Sequence, residues 1–164
     1  MPRALRILGT AALVLSVWGA ALPASAADER APPYWASISA SAARMRTGPG
    51  EQYPAIWLYN RIGLPLRVIK TYPDWRQVRD PDGAEGWVFA KLLTSKRTAM
   101  VIGAVRELRV SPDPAAAVRW RAQPGVVGTV TNCAAGWCEL NVDGRKGYVE
   151  TGALWGVDPG ETVK

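Results

Sequence analysis

Apolar positions along this chain come in short alternating runs, separated by turns rich in glycine, proline and aspartate. Trp75 to Arg79, Gly86 to Phe89, Val105 to Val110, Trp137 to Val142 and Gly147 to Glu150 each read as a strand with one apolar face. Leu64 to Lys70, Val118 to Arg121 and Gly125 to Cys133 read the same way; Pro65 confines its strand to an edge or to a start after the proline. Ile38 and Ala42 to Arg46 begin two further strands, and Ile56 to Arg61 is a short aromatic segment. Thr47 to Pro54, with its glycines and prolines, is a long loop that excludes a helix. Asp80 to Gly83 is a hairpin turn, and Ala90 to Leu93 is a single turn of the 3₁₀ kind. Short strands at regular spacing between such turns predict an all-β fold.

The pattern occurs twice. Asp74-Trp75-Arg76-Gln77-Val78, Gly86-Trp87-Val88 and Leu93 are echoed by Gly136-Trp137-Cys138-Glu139-Leu140, Gly147-Tyr148-Val149 and Leu154. Upstream, Met45-Arg46-Thr47-Gly48-Pro49 lines up with Leu108-Arg109-Val110-Ser111-Pro112, and Trp57 with Trp120. The register drifts by one residue between the paired tryptophans and the following glycines, at a hairpin tip where surface turns tolerate insertions. A period near 60, Trp57 to Trp120 being 63, is too long for a solenoid unit and suits two small domains in tandem. Each is near the lower size for independent folding, so packing between the copies is physically reasonable.

Composition narrows the setting. Arg3 and Arg6 precede an apolar run from Ile7 to Leu22, and Pro23-Ala24-Ser25-Ala26 supplies a small-residue cleavage site, so residues 1–26 read as an export signal. The mature chain is then expected in the periplasm or outside the cell, with no stable membrane insertion. Losing two arginines lowers the formal charge of +6 by two, and the remaining charges are scattered, which argues against nucleic acid as partner. Residues 27–37, with Pro32-Pro33, read as a leader whose Tyr34 and Trp35 either pack back on the fold or stay available. From Trp155 onward the chain loses periodicity and is expected to be partly loose.

Cys133 and Cys138 flank a tight reversal, where directly opposed residues of an antiparallel pair approach bridging distance. In an exported protein they are expected to form a disulfide. The chain has no histidine, so neither a metal site nor a Cys–His nucleophile has its partner. Glu51, Asp74, Asp82 and Glu139 fall in turns or exposed strand positions, without a spacing that suits acid–base work.

Side chains alternate along a strand, so Trp75 and Val78 point to opposite faces, as do Trp137 and Leu140. With Val78 and Leu140 in the cores, the two indoles lie outside. There they either lean on a loop or another domain, or form an aromatic platform. Trp87 and Tyr148, next to Val88 and Val149, also face away from the core. Tyr53, Trp57, Tyr59 and Tyr72 are candidates for the same groove.

In these motifs the chain resembles the bacterial SH3-like domain family of exported and cell-envelope proteins. The matching features are Met45-Arg46-Thr47-Gly48-Pro49-Gly50, Asp74-Trp75-x-x-Val78, Gly86-Trp87-Val88 and the terminal turn with Leu93. In the second copy Ser111-Pro112-Asp113-Pro114 replaces the Gly-Pro-Gly loop and Tyr148 stands for tryptophan. The resemblance implies two five-stranded, partly open barrels, the first over 38–97 and the second over 98–156, with a tail at 157–164. It implies a ligand groove at Trp75 with Tyr53, Trp57 and Tyr72, and a more divergent one at Trp137. The expected function is binding without catalysis or cofactor, the partner being a peptidoglycan peptide or an envelope protein. The alternative is a structural or regulatory protein whose barrels dock on each other or on an enzyme subunit.

Overall fold

The alternating runs form two separate antiparallel sheets in the computed structural model, which describes residues 30–163. The first contains β1 (Tyr34–Ile38), β2 (Ala43–Arg46), β3 (Ala55–Tyr59), β4 (Pro65–Tyr72), β5 (Trp75–Arg79), β6 (Glu85–Phe89) and β7 (Leu93–Thr94). The second contains β8 (Thr98–Val101), β9 (Arg106–Arg109), β10 (Val118–Ala122), β11 (Val127–Ala134), β12 (Trp137–Val142), β13 (Arg145–Glu150) and β14 (Leu154–Trp155). Strand order is β3-β2-β6-β5-β4-β1-β7 in one and β10-β9-β13-β12-β11-β8-β14 in the other, the same topology twice. A 3₁₀ turn, Ala90–Leu92 or Thr151–Ala153, precedes the last strand of each. The expected signal at 1–26 lies outside the described residues.

Each sheet has seven strands where five were expected. The pairs after the 3₁₀ turns close against β1 and β8, and β1 itself starts inside the segment read as a leader. Tyr34 and Trp35 are strand residues between β4 and β7, both nearly buried. Pro65 opens β4, the one position where its missing N–H costs the ladder little, and the rest of β4 runs through the interior of the sheet.

Ile38, Met45, Leu66, Val68, Val78 and Val88 are fully buried in the first core. Val101, Leu108, Val130, Leu140 and Val149 take the equivalent places in the second. Alternation explains these inward sets, and matched irregularities bend the strands around them. A register shift falls at Ile69 in β4 and at Thr131 in β11, another at Ile56 in β3 and Arg119 in β10. Gly86 brings β6 onto β2: a Cβ there would lie 2.5 Å from Met45 Cγ and 2.8 Å from the Arg46 carbonyl oxygen. Gly147 makes the same approach to Leu108.

The end of each core is closed differently at one shared register position. In the first sheet Thr71 opposes Arg76, whose buried guanidinium donates to Tyr34 Oη (3.1 Å) and to the carbonyls of Tyr72 and Trp75 (both 2.9 Å). In the second, Cys133 opposes Cys138, and the two form a disulfide with Cα atoms 4.1 Å apart. The hairpin turn between them has Ala135 and Gly136 at positive φ (50° and 82°), the two-residue geometry that sets cysteines directly opposite.

The two sheets dock through their β1 and β14 sides. The Trp35 and Trp155 rings meet edge to face with centroids 4.9 Å apart, and Trp155 Nε1 donates to the Pro65 carbonyl at 3.0 Å. Arg67 lies 4.7 Å over the Trp35 ring while its guanidinium donates to both Asp158 carboxylate oxygens. Beside them Thr98 Oγ1 donates to the Gly63 carbonyl, and Met100 packs on the first core.

The segment after Trp155 is not loose. Val157 is buried, Glu161 pairs with Arg97, and Val163 exchanges both backbone hydrogen bonds with Cys133. These contacts replace periodicity as the ordering force, which is why an alternation pattern did not announce them.

Three outcomes follow from this packing. Replacing Cys133 and Cys138 together by alanine is expected to lower unfolding free energy by about 2 kcal/mol, measured by chemical denaturation. Gly156 (φ +113°) sits in the seam, and a Cβ would stand 2.4 Å from the Thr98 carbonyl oxygen and 3.0 Å from Pro65 Cβ. Gly156→Ala is therefore expected to destabilise by about 2–4 kcal/mol. The Arg97 guanidinium, with the Asp158 N–H, holds Glu161 below the ordinary glutamate value of 4.5 against the opposing effect of burial. Those bonds are absent in the unfolded chain, so unfolded Glu161 takes up its proton first as pH falls. The stabilisation is whole above pH 4.5 and is lost as pH drops through the lower folded value. Glu161→Gln is expected to flatten the acid limb of a stability–pH profile and leave the slope at neutral pH unchanged.

Candidate aromatic binding faces

The outer face of β5 and β6 collects aromatic side chains because their inward positions are taken by Val78, Gly86 and Val88. Cross-strand register sets Trp75 opposite Phe89 and Gln77 opposite Trp87, and Tyr72 opposes Trp75 from β4. The Trp75 and Phe89 rings are 5.4 Å apart, and Tyr72 meets Trp87 edge-on at 6.3 Å. Trp75 thus lies outside the core, as alternation requires, yet only 9% of it is exposed because it leans on its neighbours. Tyr72, at 55% exposure, and the half-buried Trp87 present the accessible part of the cluster.

Tyr53 and Trp57 belong to a neighbouring region, the β2–β3 hairpin. Arg46, opposite Trp87, donates to the carbonyls of Glu51 (3.0 Å) and Tyr53 (2.7 Å) and so holds the loop beside the aromatic face. Trp57 points toward Tyr59, with ring centroids 6.5 Å apart. The Tyr59 hydroxyl donates to buried Asp80 at 2.9 Å, and burial, aided by that carboxylate, pushes the phenol far up. Asp80 also accepts from the N–H groups of Asp82 and Ala84, so this pair secures the hairpin rather than offering chemistry. The structure brings Tyr72 and Trp75 together, while Tyr53 and Trp57 stand on the adjoining hairpin. Phe89, absent from the sequence-based site, could have been found from the strand register, which puts it across from Trp75.

The second domain keeps the tryptophan and changes its cover. Glu150 stands where the first domain has Phe89, opposite Trp137. Trp137 is accordingly less buried and lines a concavity of about 230 Å³ with Arg106, Glu107, Arg109 and Glu150. A hydrogen bond from Arg121, with the charges of Arg121 and Arg109, holds the Glu107 carboxyl below its usual range despite some desolvation. Arg106 Nε is buried there without a hydrogen-bond partner. A cleft of about 370 Å³ between the domains is lined mainly by hydroxyl and aliphatic side chains, including Ser37, Thr98, Ile62 and Val127.

No cluster of three or more His, Cys, Asp or Glu side chains suited to a metal occurs among the described residues. No helix among them is long and apolar enough to cross a membrane.

A repeated topology with an outward tryptophan at the start of each central hairpin defines a pair of small SH3-like domains. The family model described as bacterial SH3 domain matches residues 39–94 and again residues 105–156, so the chain belongs to the bacterial SH3 domain family and carries its domain twice. That is a family of binding domains. No curated protein matches the chain. Among solved structures it is similar to NlpC1 from Trichomonas vaginalis, at 11% identity and a TM-score of 0.36, covering 79% of this chain and 48% of that one. NlpC2 from Trichomonas vaginalis gives 11% identity and a TM-score of 0.35, covering 76% of this chain and 48% of that one. The chain therefore spans less than half the length of each.

Proposed function

We propose that this chain is an exported, non-enzymatic binding module of the bacterial cell envelope. It recognises a peptidoglycan peptide or an envelope protein through the outer face of its first domain. The observation that carries this reading is the cluster of Tyr72, Trp75, Trp87 and Phe89 outside the core, with Arg46 fixing the adjacent loop. Aromatic side chains supply contact area at low entropic cost, and an outward group of them on a binding-domain scaffold suits a ligand that is held without being transformed. The concavity at Trp137, with its arginines, is a second contact suited to a carboxylate-bearing ligand.

The docked domains favour a second reading, a rigid scaffold. The seam uses Trp35 and Trp155 rather than Trp75 and Trp137, so docking leaves the outer faces accessible and the two readings are compatible.

Co-sedimentation with purified wall sacculi, alongside pull-down from an envelope extract, tests the binding reading. The double variant Tyr72→Ala, Trp87→Ala is expected to lose at least about ten-fold in retention with little change in melting temperature, since exposed aromatic anchors contribute on the order of 1–2 kcal/mol each. Equal retention of wild type and variant in both assays would remove this face from the function.

A further inference from the structure

The two outermost strands at corresponding places, β3 and β10, have the same backbone and opposite surfaces. Both pair with a neighbour on one side alone, and both carry one bulge, at Ile56 and Arg119. The second domain protects its edge. Arg119 and Arg121 put charge on β10, Arg121 pairs with Glu107 at 2.7 Å, and the Trp120 indole is tied to the Lys146 carbonyl at 3.0 Å under the Arg145 guanidinium. Charged side chains on an open strand are the usual guard against strand pairing with another chain.

In the first domain that guard is missing. Ile56, Trp57 and Leu58 occupy the positions of Arg119, Trp120 and Arg121, and are exposed by 48%, 58% and 46%. Arg44, opposite Leu58, stands where Glu107 answers Arg121 in the other copy. Among the described residues neither Arg44 nor Arg61, just beyond the strand, has an ion-pair partner, and both are exposed. The carboxylate of Asp80 at the Tyr59 end is buried and committed to Tyr59 and its own turn. An open row of backbone groups, three consecutive exposed apolar side chains and two unanswered guanidinia therefore share one edge.

We propose that β3 is a docking edge for an extended acidic segment of another protein. Its backbone would pair with the open side of β3, its apolar side chains would lie on the face of Trp57, and its carboxylates would lie on the opposite face, beside Leu58, within reach of Arg44. Charge selects this occupant over a second copy of the chain, because Ala55 to Tyr59 of a second β3 brings no carboxylate to answer Arg44 and Arg61. This edge is distinct from the Tyr72–Trp87 face.

The test uses the full chain and a labelled nine-residue peptide of alternating valine and glutamate, followed by fluorescence anisotropy. Saturable binding is expected, at least ten-fold weaker in the Ile56→Glu, Leu58→Glu double variant, which puts the peptide's own charge on the edge, and similarly weakened by Arg44→Glu. Trp57→Ala, which adds no charge, is expected to weaken binding as well, and unchanged circular dichroism and melting temperature show that each variant is folded. The matching valine–lysine peptide is expected not to bind, and Tyr72→Ala with Trp87→Ala to leave the affinity unchanged. No binding at millimolar peptide, equal binding of the lysine peptide, or full affinity in the folded double variant overturns the proposal. So does a homodimer in analytical ultracentrifugation that Leu58→Arg dissociates, which would assign β3 to a second copy.

Discussion

The contact between Trp35 and Trp155 is where two small sheets share an apolar surface that neither could hide alone. Domains of this size bury a modest fraction of their chain, and their stability is correspondingly slim. Here Trp35 is covered on one side by Trp155 and on another by the Arg67 guanidinium, itself anchored by Asp158 from the other half of the chain. Much of the seam therefore comes from residues after the second 3₁₀ turn, and the stability of the first domain is coupled to order in the last ten residues described. At this junction Thr98 donates to Gly63 and Trp155 to Pro65, while Trp35 Nε1 is buried without a hydrogen-bond partner.

Around that seam the repeats have diverged by exchanging side chains at fixed register. Arg76 and Cys138 close the same end of the core, one with a ring of neutral oxygen acceptors and the other with a covalent bond. The guanidinium is an economical plug only because its donors find nearby carbonyls, since an unanswered buried charge would destabilise strongly. Phe89 and Glu150 decide whether the neighbouring indole is covered or lines a hollow. The common scaffold and these exchanges give one chain two different surfaces.

Much of the scaffold was legible in the sequence because alternation is a local property. Trp75 to Arg79 and Trp137 to Val142 match their strands end for end, and Cys133 falls opposite Cys138 because a hairpin's register follows from its turn. The outward placement of Trp75 was legible on the same ground, but its cover was not: Phe89 approaches it from another strand. The seam was hidden for a related reason. Trp35 and Trp155 are one-sided residues, aligned with Thr98 and Thr94 of the other copy, and a search for what repeats passes over what does not. Strand β1 was cut short because Pro32-Pro33 made its start look like linker, and the final segment was underrated because long-range pairing, not periodicity, orders it.

The pairing of Val163 with Cys133 has a chemical corollary. Both half-cystines have no accessible surface, and the strap formed by the last residues lies against one of them. Thiol–disulfide exchange requires an attacking thiolate to reach a sulfur atom, so an external reductant must wait for the strap or the hairpin to open. The lifetime of the bond in a reducing medium is then governed by how often that local opening occurs, which makes the cross-link a reporter on fraying of the strap.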